Sequence, residues 1–219
     1  MRHALYDLRK EERMGKKRFF KEYIEPIIIA VLIALFIRAF IVQAFKIPSS
    51  SMEPTLLVGD HLLVSKFIYG IKIPFTDTKL FQMKNPKRGD IIVFIYPKDR
   101  SKDFIKRVIA TEGEKVEIIR DKIYINDTLI NDPWGYFNEK SDWTKFIQPM
   151  ERYGPDIVPK GKIFVLGDNR DNSQDSRFWG FADIKDVKGK ALVTYFSWNG
   201  FADNLLDKVR WTRFGKLIR

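Results

Sequence analysis

The chain has 219 residues, no cysteine, two histidines and a formal charge of +11 at pH 7. The length suffices for one sizeable core or for a core with an inserted subdomain, and the missing cysteine excludes disulfides, a thiolate nucleophile and cysteine-bound zinc. We find no zinc finger, RNA-binding motif or glycine-rich phosphate loop, so we expect no nucleic-acid partner; a positive excess spread among acids suits a domain that faces anionic lipid.

A basic leader, residues 1–22, precedes an apolar segment. Residues 1–25 contain eight Lys/Arg and five acids, and a 19-residue apolar run extends from Ile27 to Phe45. We predict one transmembrane helix over 23–42, long enough to cross a bilayer core of about 30 Å, with Arg38 close enough to one end to snorkel. Because the basic residues precede the helix, we expect the N-terminus in the cytoplasm and the rest of the chain outside it.

A cleaved signal peptide and a buried core helix are the alternatives for this segment. A cleaved signal has an apolar core of about 7–15 residues and ends in a small-x-small pattern. This run is longer and ends in Phe45, Lys46 and Ile47. The pattern therefore favours a membrane anchor.

Short runs typical of β-strands follow the anchor, and turn residues separate them. They are rich in Val, Ile, Phe and Tyr and lie at His61–Ile68, Asp90–Tyr96, Phe104–Ala110, Lys115–Ile119, Lys122–Asn126, Lys162–Leu166 and Lys190–Ser197. We predict a mainly β fold with a core formed by residues 43–125 and 161–219. The segment 126–160 is aromatic, charged and weakly periodic, which indicates an insertion.

The serines at 49–51 and a lysine far along the chain are the candidate catalytic residues. A serine hydroxyl needs a base within hydrogen-bond reach. A Ser-His-Asp triad would have to use His61, because His3 lies in the leader, and we favour a strand-edge histidine there. A lysine base needs an apolar site that lowers its pKa from about 10.4 to about 7–8. Lys106 has strongly apolar neighbours, although an exposed lysine on an edge strand is the alternative.

Four blocks resemble bacterial type I signal peptidases, also called leader peptidases. They read FIRAFIVQAFKIPSSSMEPTL at 36–56, PKRGDIIVFIYP at 86–97, DFIKRVIA at 103–110 and GDNRDNSQDSR at 167–177. The resemblance implies an antiparallel β-sheet catalytic core with an inserted β-rich subdomain at 126–160. It implies Ser51 as nucleophile and Lys106 as general base. It also implies that Ser49 and the Ser51 backbone N–H form the oxyanion hole, and that Ser173 orients the lysine.

The same resemblance implies supporting and substrate-binding residues. Structural support is expected from Asp168, Asn169, Asp175 and Arg177, while Ser50 is expected only to fill the turn. Apolar pockets for small substrate side chains are expected from Phe45, Ile47, Pro48, Met52, Leu56, Phe104 and Ile105, each of which could instead be core. No metal or other cofactor is expected.

The resemblance also implies partners and a location. The expected substrates are exported preproteins bound as extended strands, and phospholipid and the export translocon are the other expected partners. We expect a single-pass protein of the bacterial cytoplasmic membrane with its catalytic domain on the extracytoplasmic face. Ser51 follows Val42 by nine residues, so an extended chain puts it at most about 30 Å from the helix end.

The chain departs from the family pattern in one turn, which touches no catalytic role, and two other functions stay open. The family often has Leu-Pro-Gly-Asp after the lysine block, whereas this chain has Ala110, Thr111, Glu112, Gly113 and Glu114. A self-cleaving repressor-type protease would share the Ser/Lys chemistry, but residues 1–25 are too short for its DNA-binding domain. A membrane-tethered β module that binds extended peptides without cutting them is the second alternative.

Overall fold

The computed structural model describes residues 20–72, 79–80, 84–137 and 152–219. The chain divides into two units, Met1–Ile41 and Val42–Arg219. In the first, a helix extends over Phe20–Ile41. It consists of α1 (Glu25–Phe36) flanked by π-helical turns at Phe20–Ile24 and Ile37–Ile41.

The N-terminal helix is apolar, and none of its residues is buried in protein. Its 22 residues rise about 33 Å, enough to cross a membrane core of about 30 Å. The predicted bounds were 23–42, whereas in the described residues the helix covers Phe20–Ile41 and ends there because Val42 begins a strand. Most of the predicted leader, residues 1–19, lies outside the described residues.

An eight-stranded antiparallel sheet forms the frame of Val42–Arg219. Its strand order is β1-β2-β13-β5-β6-β11-β12, and β14 pairs with β13. These strands are β1 (Val42–Lys46), β2 (Asp60–Ser65), β5 (Ile91–Ile95), β6 (Asp103–Thr111), β11 (Lys162–Leu166), β12 (Ala182–Asp183), β13 (Val187–Ser197) and β14 (Lys216–Leu217).

Two smaller sheets complete the unit. The second sheet has the order β10-β7-β8-β9, and β3 (Ile71–Lys72) pairs with β4 (Lys79–Leu80). The second sheet consists of β7 (Lys115–Ile119), β8 (Lys122–Ile125), β9 (Thr128–Leu129) and β10 (Arg152–Ile157). The predicted insertion 126–160 contributes β9 and β10, and its residues 138–151 lie outside the described residues. Each predicted strand run forms a strand, so the prediction of a mainly antiparallel β fold is confirmed.

The large sheet is covered on both faces, as alternation along β5 shows. Ile92 and Phe94 pack in one buried cluster, whereas Ile91 and Val93 pack in another. Successive strand residues face opposite sides of a sheet, so each face of β5 contacts a separate core. This double burial makes β5 a continuous apolar run, and in the neighbouring strand β6 the residues from Lys106 to Ala110 are buried as well.

Candidate active site

Ser51 lies in the turn that joins β1 to β2, and its hydroxyl faces a lysine of β6. The fully buried Met52 and Leu56 anchor this turn in the core. Lys106 Nζ lies 2.6 Å from Ser51 Oγ, although 55 positions separate the two residues in sequence. The structure therefore brings together the two residues that the sequence predicted as nucleophile and base.

The Lys106 amine is buried and has few polar partners. Only 4% of the residue is exposed, and besides Ser51 the amine contacts the Ile105 carbonyl oxygen, to which it donates at 3.0 Å. Burial lowers the pKa of Lys106 from 10.5 to about 8, although the Asp175 and Asp168 carboxylates act in the opposite direction. At pH 7 about one such amine in ten is neutral, so the pair can move a proton near physiological pH.

Arg107, the next residue of β6, forms a buried ion pair with Asp168. Its Nε and Nη2 donate to the carboxylate at 2.8 and 2.7 Å, and both side chains are fully buried. Its Nη1 donates to the Gly89 carbonyl at 2.8 Å, and its guanidinium lies 4.6 Å from the centre of the Trp134 ring. Because a bidentate pair fixes direction as well as distance, it holds the first part of the active-site loop, residues 167–177, against β6.

A second ion pair orders the end of the active-site loop. Arg177 Nε and Nη2 donate to the Asp175 carboxylate at 2.8 and 2.9 Å, and Asp175 caps the short helix α2 (Ser176–Trp179). Asp175 also accepts the Gly167 N–H at 3.1 Å, while Arg177 donates to the Arg170 carbonyl at 2.7 Å. These bonds close the loop on itself, and their geometry fits a supporting role.

Gly167 and Ser173 lie together beside the Ser51 backbone. A Cβ atom on Gly167 would collide with Ser173 Oγ and with the Ser51 carbonyl oxygen, so glycine alone permits this approach. Ser173 is buried, and within the described ranges its hydroxyl has no hydrogen-bond partner. The expected bond between Ser173 and the Lys106 amine is not formed in this structure, and the lysine-orienting role stays a prediction.

Two asparagines of the active-site loop bind the serine turn. The Asn169 N–H donates to the Ser51 carbonyl at 3.1 Å, and its Nδ2 donates to the Ser50 carbonyl at 3.1 Å. Asn172 Nδ2 donates to Ser50 Oγ at 2.8 Å. Ser50, which was expected only to fill the turn, therefore links the turn to the active-site loop. Ser49 is exposed and contributes to the cleft wall.

An open cleft of about 590 Å³ lies between the serine turn, β6 and the active-site loop. Of the predicted residues, its walls contain Pro48, Ser49, Ser51, Phe104, Ile105, Lys106 and Ser173. Walls from three chain segments, with the Ser51–Lys106 pair among them, form a site that an extended peptide could enter.

Four predicted pocket residues belong to the core instead of the cleft wall. Ile47, Met52 and Leu56 are at most 2% exposed and belong to one buried cluster, against which Phe45 and Ile105 pack. The serine turn needs these side chains as its anchor, so they are directed inward. Of the seven predicted pocket residues, Pro48, Phe104 and Ile105 line the cleft, and substrate contact by the other four stays a prediction.

The alternative catalytic arrangements find no support here. His61 contacts Tyr195 and Phe196, with ring centres 5.9 and 5.4 Å away, and is not among the cleft-lining residues. In the part of the chain that the structure describes, no three His, Asp or Glu side chains converge as a metal site requires.

Comparison with known proteins identifies the family of the chain. The model of the family described as "Signal peptidase, peptidase S26" matches residues 20–198. The chain is 36% identical to Signal peptidase I of Pseudomonas aeruginosa, over 85% of this chain and 76% of that protein. It is also 36% identical to Signal peptidase I of Aquifex aeolicus, over 81% and 84% of the two chains. The chain belongs to the signal peptidase family. It is therefore a serine peptidase, a hydrolase that acts on peptide bonds.

Among solved structures, the chain matches a signal peptidase I from Enterococcus faecalis with 34% sequence identity and a TM-score of 0.37. The match covers 49% of this chain and 97% of the Enterococcus chain.

In this member of the signal peptidase family, sequence reasoning missed part of the site. The cleft walls also contain Lys102, Asp103, Asp171, Asn172, Gln174 and Phe178. Trp134, to which no role was assigned, stacks on the guanidinium that positions Asp168. The active-site loop block could have pointed to Asn172, but no local pattern predicts that Trp134 meets β6.

Proposed function

We propose that this chain is a membrane-anchored signal peptidase that removes N-terminal signal peptides from exported preproteins, with Ser51 as nucleophile and Lys106 as general base. The contact of 2.6 Å between Ser51 Oγ and a buried Lys106 amine carries the proposal. Family membership supplies the reaction class, and the apolar helix Phe20–Ile41 supplies an anchor.

Acylation begins when Ser51 Oγ attacks the scissile carbonyl carbon and the neutral Lys106 amine takes the hydroxyl proton. The Ser51 N–H and the Ser49 hydroxyl stabilise the oxyanion that forms. When the tetrahedral intermediate collapses, the Lys106 ammonium gives its proton to the leaving amine, the new N-terminus of the mature protein. Ser51 then carries the signal peptide as an ester.

Deacylation repeats these roles with water as nucleophile. Lys106 takes a proton from the water that attacks the ester carbonyl, and the oxyanion donors act again. Collapse breaks the bond to Ser51 Oγ, which regains a proton, and the signal peptide leaves with a C-terminal carboxylate. Ser173, which lines the same cleft, is the residue proposed to accept an N–H of the Lys106 amine and so to orient it.

The free edge of β6 supports binding of an extended substrate. In the described residues β5 pairs with β6 from Asp103 to Arg107, whereas β11 pairs with it only between Arg107 and Thr111. One edge of residues 103–106 is therefore open beside the catalytic amine. A substrate strand can bind there through main-chain hydrogen bonds, and Ile105 and Phe104 offer apolar walls for small side chains.

Orientation follows from the basic leader, which keeps the N-terminus in the cytoplasm and the catalytic unit on the extracytoplasmic face of the bacterial membrane. The substrates there are preproteins whose signal peptides are still in the bilayer. Phospholipid surrounds the anchor, and the export translocon, which delivers these substrates, is the further partner.

The test compares cleavage of a preprotein by the full chain in detergent with cleavage by Ser51→Ala and Lys106→Ala proteins. Both variants should lose cleavage, whereas the exposed controls Ser101→Ala and Lys98→Ala should retain it. Cleavage by either active-site variant at the unmodified rate would reject the assigned roles. If the unmodified protein binds the preprotein but leaves it intact, the non-catalytic peptide-binding module is the better function.

A further inference from the structure

We infer that Asn169 is a positioning residue that aims the Ser51 backbone N–H at the oxyanion through a hydrogen bond to the Ser50 carbonyl. This inference rests on the proposed function, because it concerns the oxyanion hole of the same reaction. It assigns a specific task to the Asn169 side chain, which family resemblance marked only as support.

The peptide unit between Ser50 and Ser51 carries the relevant geometry. A trans peptide is planar, with its C=O and N–H directed to opposite sides. Fixing the Ser50 carbonyl therefore also fixes the direction of the Ser51 N–H. Among the described residues the Ser51 N–H has no acceptor, so it is available to a substrate oxygen.

Two donors hold the Ser50 carbonyl, and only one of them comes from outside the turn. The Glu53 N–H donates at 3.0 Å from within the serine turn, and Asn169 Nδ2 donates at 3.1 Å from the active-site loop. Because Glu53 belongs to the same turn, its bond does not fix the orientation of the turn relative to the rest of the site. The Asn169 bond ties the peptide plane to a separate element, and a hydrogen bond to C=O also polarises the N–H of the same unit.

Asn169 is itself held from both sides. Its own N–H donates to the Ser51 carbonyl at 3.1 Å, so main chain and side chain together bind the two carbonyls that flank the nucleophile. On its other side Tyr136 bonds the neighbouring residues: the Tyr136 N–H donates to the Asp168 carbonyl at 2.7 Å, and the Arg170 N–H donates to the Tyr136 carbonyl at 2.9 Å. With 8% of the residue exposed, Asn169 is a rigid reference point.

Asn172 provides a matched comparison on the same loop. It also donates a side-chain amide bond to Ser50, but to the hydroxyl at 2.8 Å instead of the carbonyl. Removing the Asn172 bond loosens the turn without releasing the peptide plane. Comparing variants of the two asparagines therefore distinguishes the effect of orienting the Ser51 N–H from the effect of attaching the serine turn to the loop.

The experiment measures Asn169→Ala and Asn172→Ala in preprotein cleavage. Loss of one complete oxyanion donor costs about 10²–10³ in kcat, so a misaimed donor should cost about tenfold or more in kcat with KM little changed. Asn172→Ala should lose clearly less. Asn169→Asp keeps the side-chain shape and main-chain bond but cannot donate to the carbonyl when ionised, so it should resemble Asn169→Ala and serves if the alanine variant does not fold.

A pair of peptide inhibitors separates aiming from a merely structural effect. A peptide aldehyde reacts with Ser51: Oγ bonds to the aldehyde carbon, the C=O π electrons become the oxyanion, and the hydroxyl proton moves to Lys106. The matched peptide alcohol binds the same cleft without this bond. Asn169→Ala should weaken the aldehyde about as much as it lowers kcat and leave the alcohol nearly unchanged.

Three outcomes reject the inference alone, provided that the unmodified protein cleaves the preprotein. They are equal losses in Asn169→Ala and Asn172→Ala, parallel weakening of aldehyde and alcohol, and normal kcat in both Asn169 variants. If the unmodified protein neither cleaves the preprotein nor binds the aldehyde better than the alcohol, the proposed function fails, and the inference fails with it.

Discussion

Replacing Lys106 by methionine should abolish cleavage and yet make the protein more stable at neutral pH. Burial lowers the pKa of Lys106 from 10.5 to about 8, and each pKa unit corresponds to about 1.36 kcal/mol. The folded state therefore carries a penalty of about 3 kcal/mol at pH 7, where the amine is mostly protonated in both states. Methionine removes the penalty but also the bond to Ser51, worth about 1 kcal/mol.

The size of this difference should depend on pH. Between about pH 8 and pH 10.5 the unfolded chain binds the proton more tightly than the folded protein, so the unmodified protein gains stability as pH rises. The variant has no such gain. It should be more stable by about 2 kcal/mol at pH 7, or about 4–8 °C in Tm, and this advantage should disappear toward pH 10.

Thermal unfolding of both proteins in the same detergent, at steps between pH 7 and pH 10, measures the difference. The control is Lys98→Met, at an exposed lysine, which should change Tm little at every pH. A Lys106→Met protein that is less stable than the unmodified protein at pH 7 would contradict a burial penalty on the lysine. So would an advantage that does not shrink as pH rises.

Three further outcomes follow from the site and its supports. Because only the neutral amine accepts a proton, kcat/KM should rise about tenfold per pH unit below pH 8 and level off above it; a flat profile from pH 6 to 8 would contradict this. Gly167→Ala should lower cleavage about 100-fold, since its Cβ displaces the Ser51 carbonyl. The control Gly200→Ala has open space around it and should cleave normally. Equal cleavage rates for the two variants would contradict the close contact between Gly167 and the Ser51 carbonyl. Arg213→Met should cost about 3–5 kcal/mol in denaturant unfolding, because it leaves the Asp60 carboxylate buried and unpaired; a change near zero would contradict that pair's role.

The strands could be predicted from the sequence because a strand that is buried on both faces is apolar at successive positions. From Ile91 to Phe94 the side chains pack alternately in two buried clusters, so each of these four positions is apolar. The helix end was predicted one residue late, because Val42 suits a membrane helix and a strand equally by composition. The boundary depends on pairing of Val42 with Ser65, a contact that no local pattern contains.

For the site, the sequence pointed to Ser51 and Lys106 but not to the side chains that surround them. Lys106 has apolar neighbours in sequence, yet composition alone favours an exposed edge lysine, and its contact with Ser51 depends on folding across 55 positions. The cleft wall shows the same limit. Met52 is apolar and adjacent to the nucleophile, but the turn needs it as an anchor, and it is fully buried in the core.

Lys106 and Arg107 show how one strand gives two adjacent cations opposite tasks. Arg107 meets the Asp168 carboxylate in a bidentate pair that compensates its burial, and it remains a fixed cation that positions the active-site loop. Lys106 is also buried, with 4% of the residue exposed, but it meets only a hydroxyl and a carbonyl at hydrogen-bond distance. Because no carboxylate contacts it directly, burial outweighs the more distant charges and frees its lone pair. In the proposed mechanism, the alternation of β6 therefore separates the charge that must persist from the charge that must be lost for catalysis.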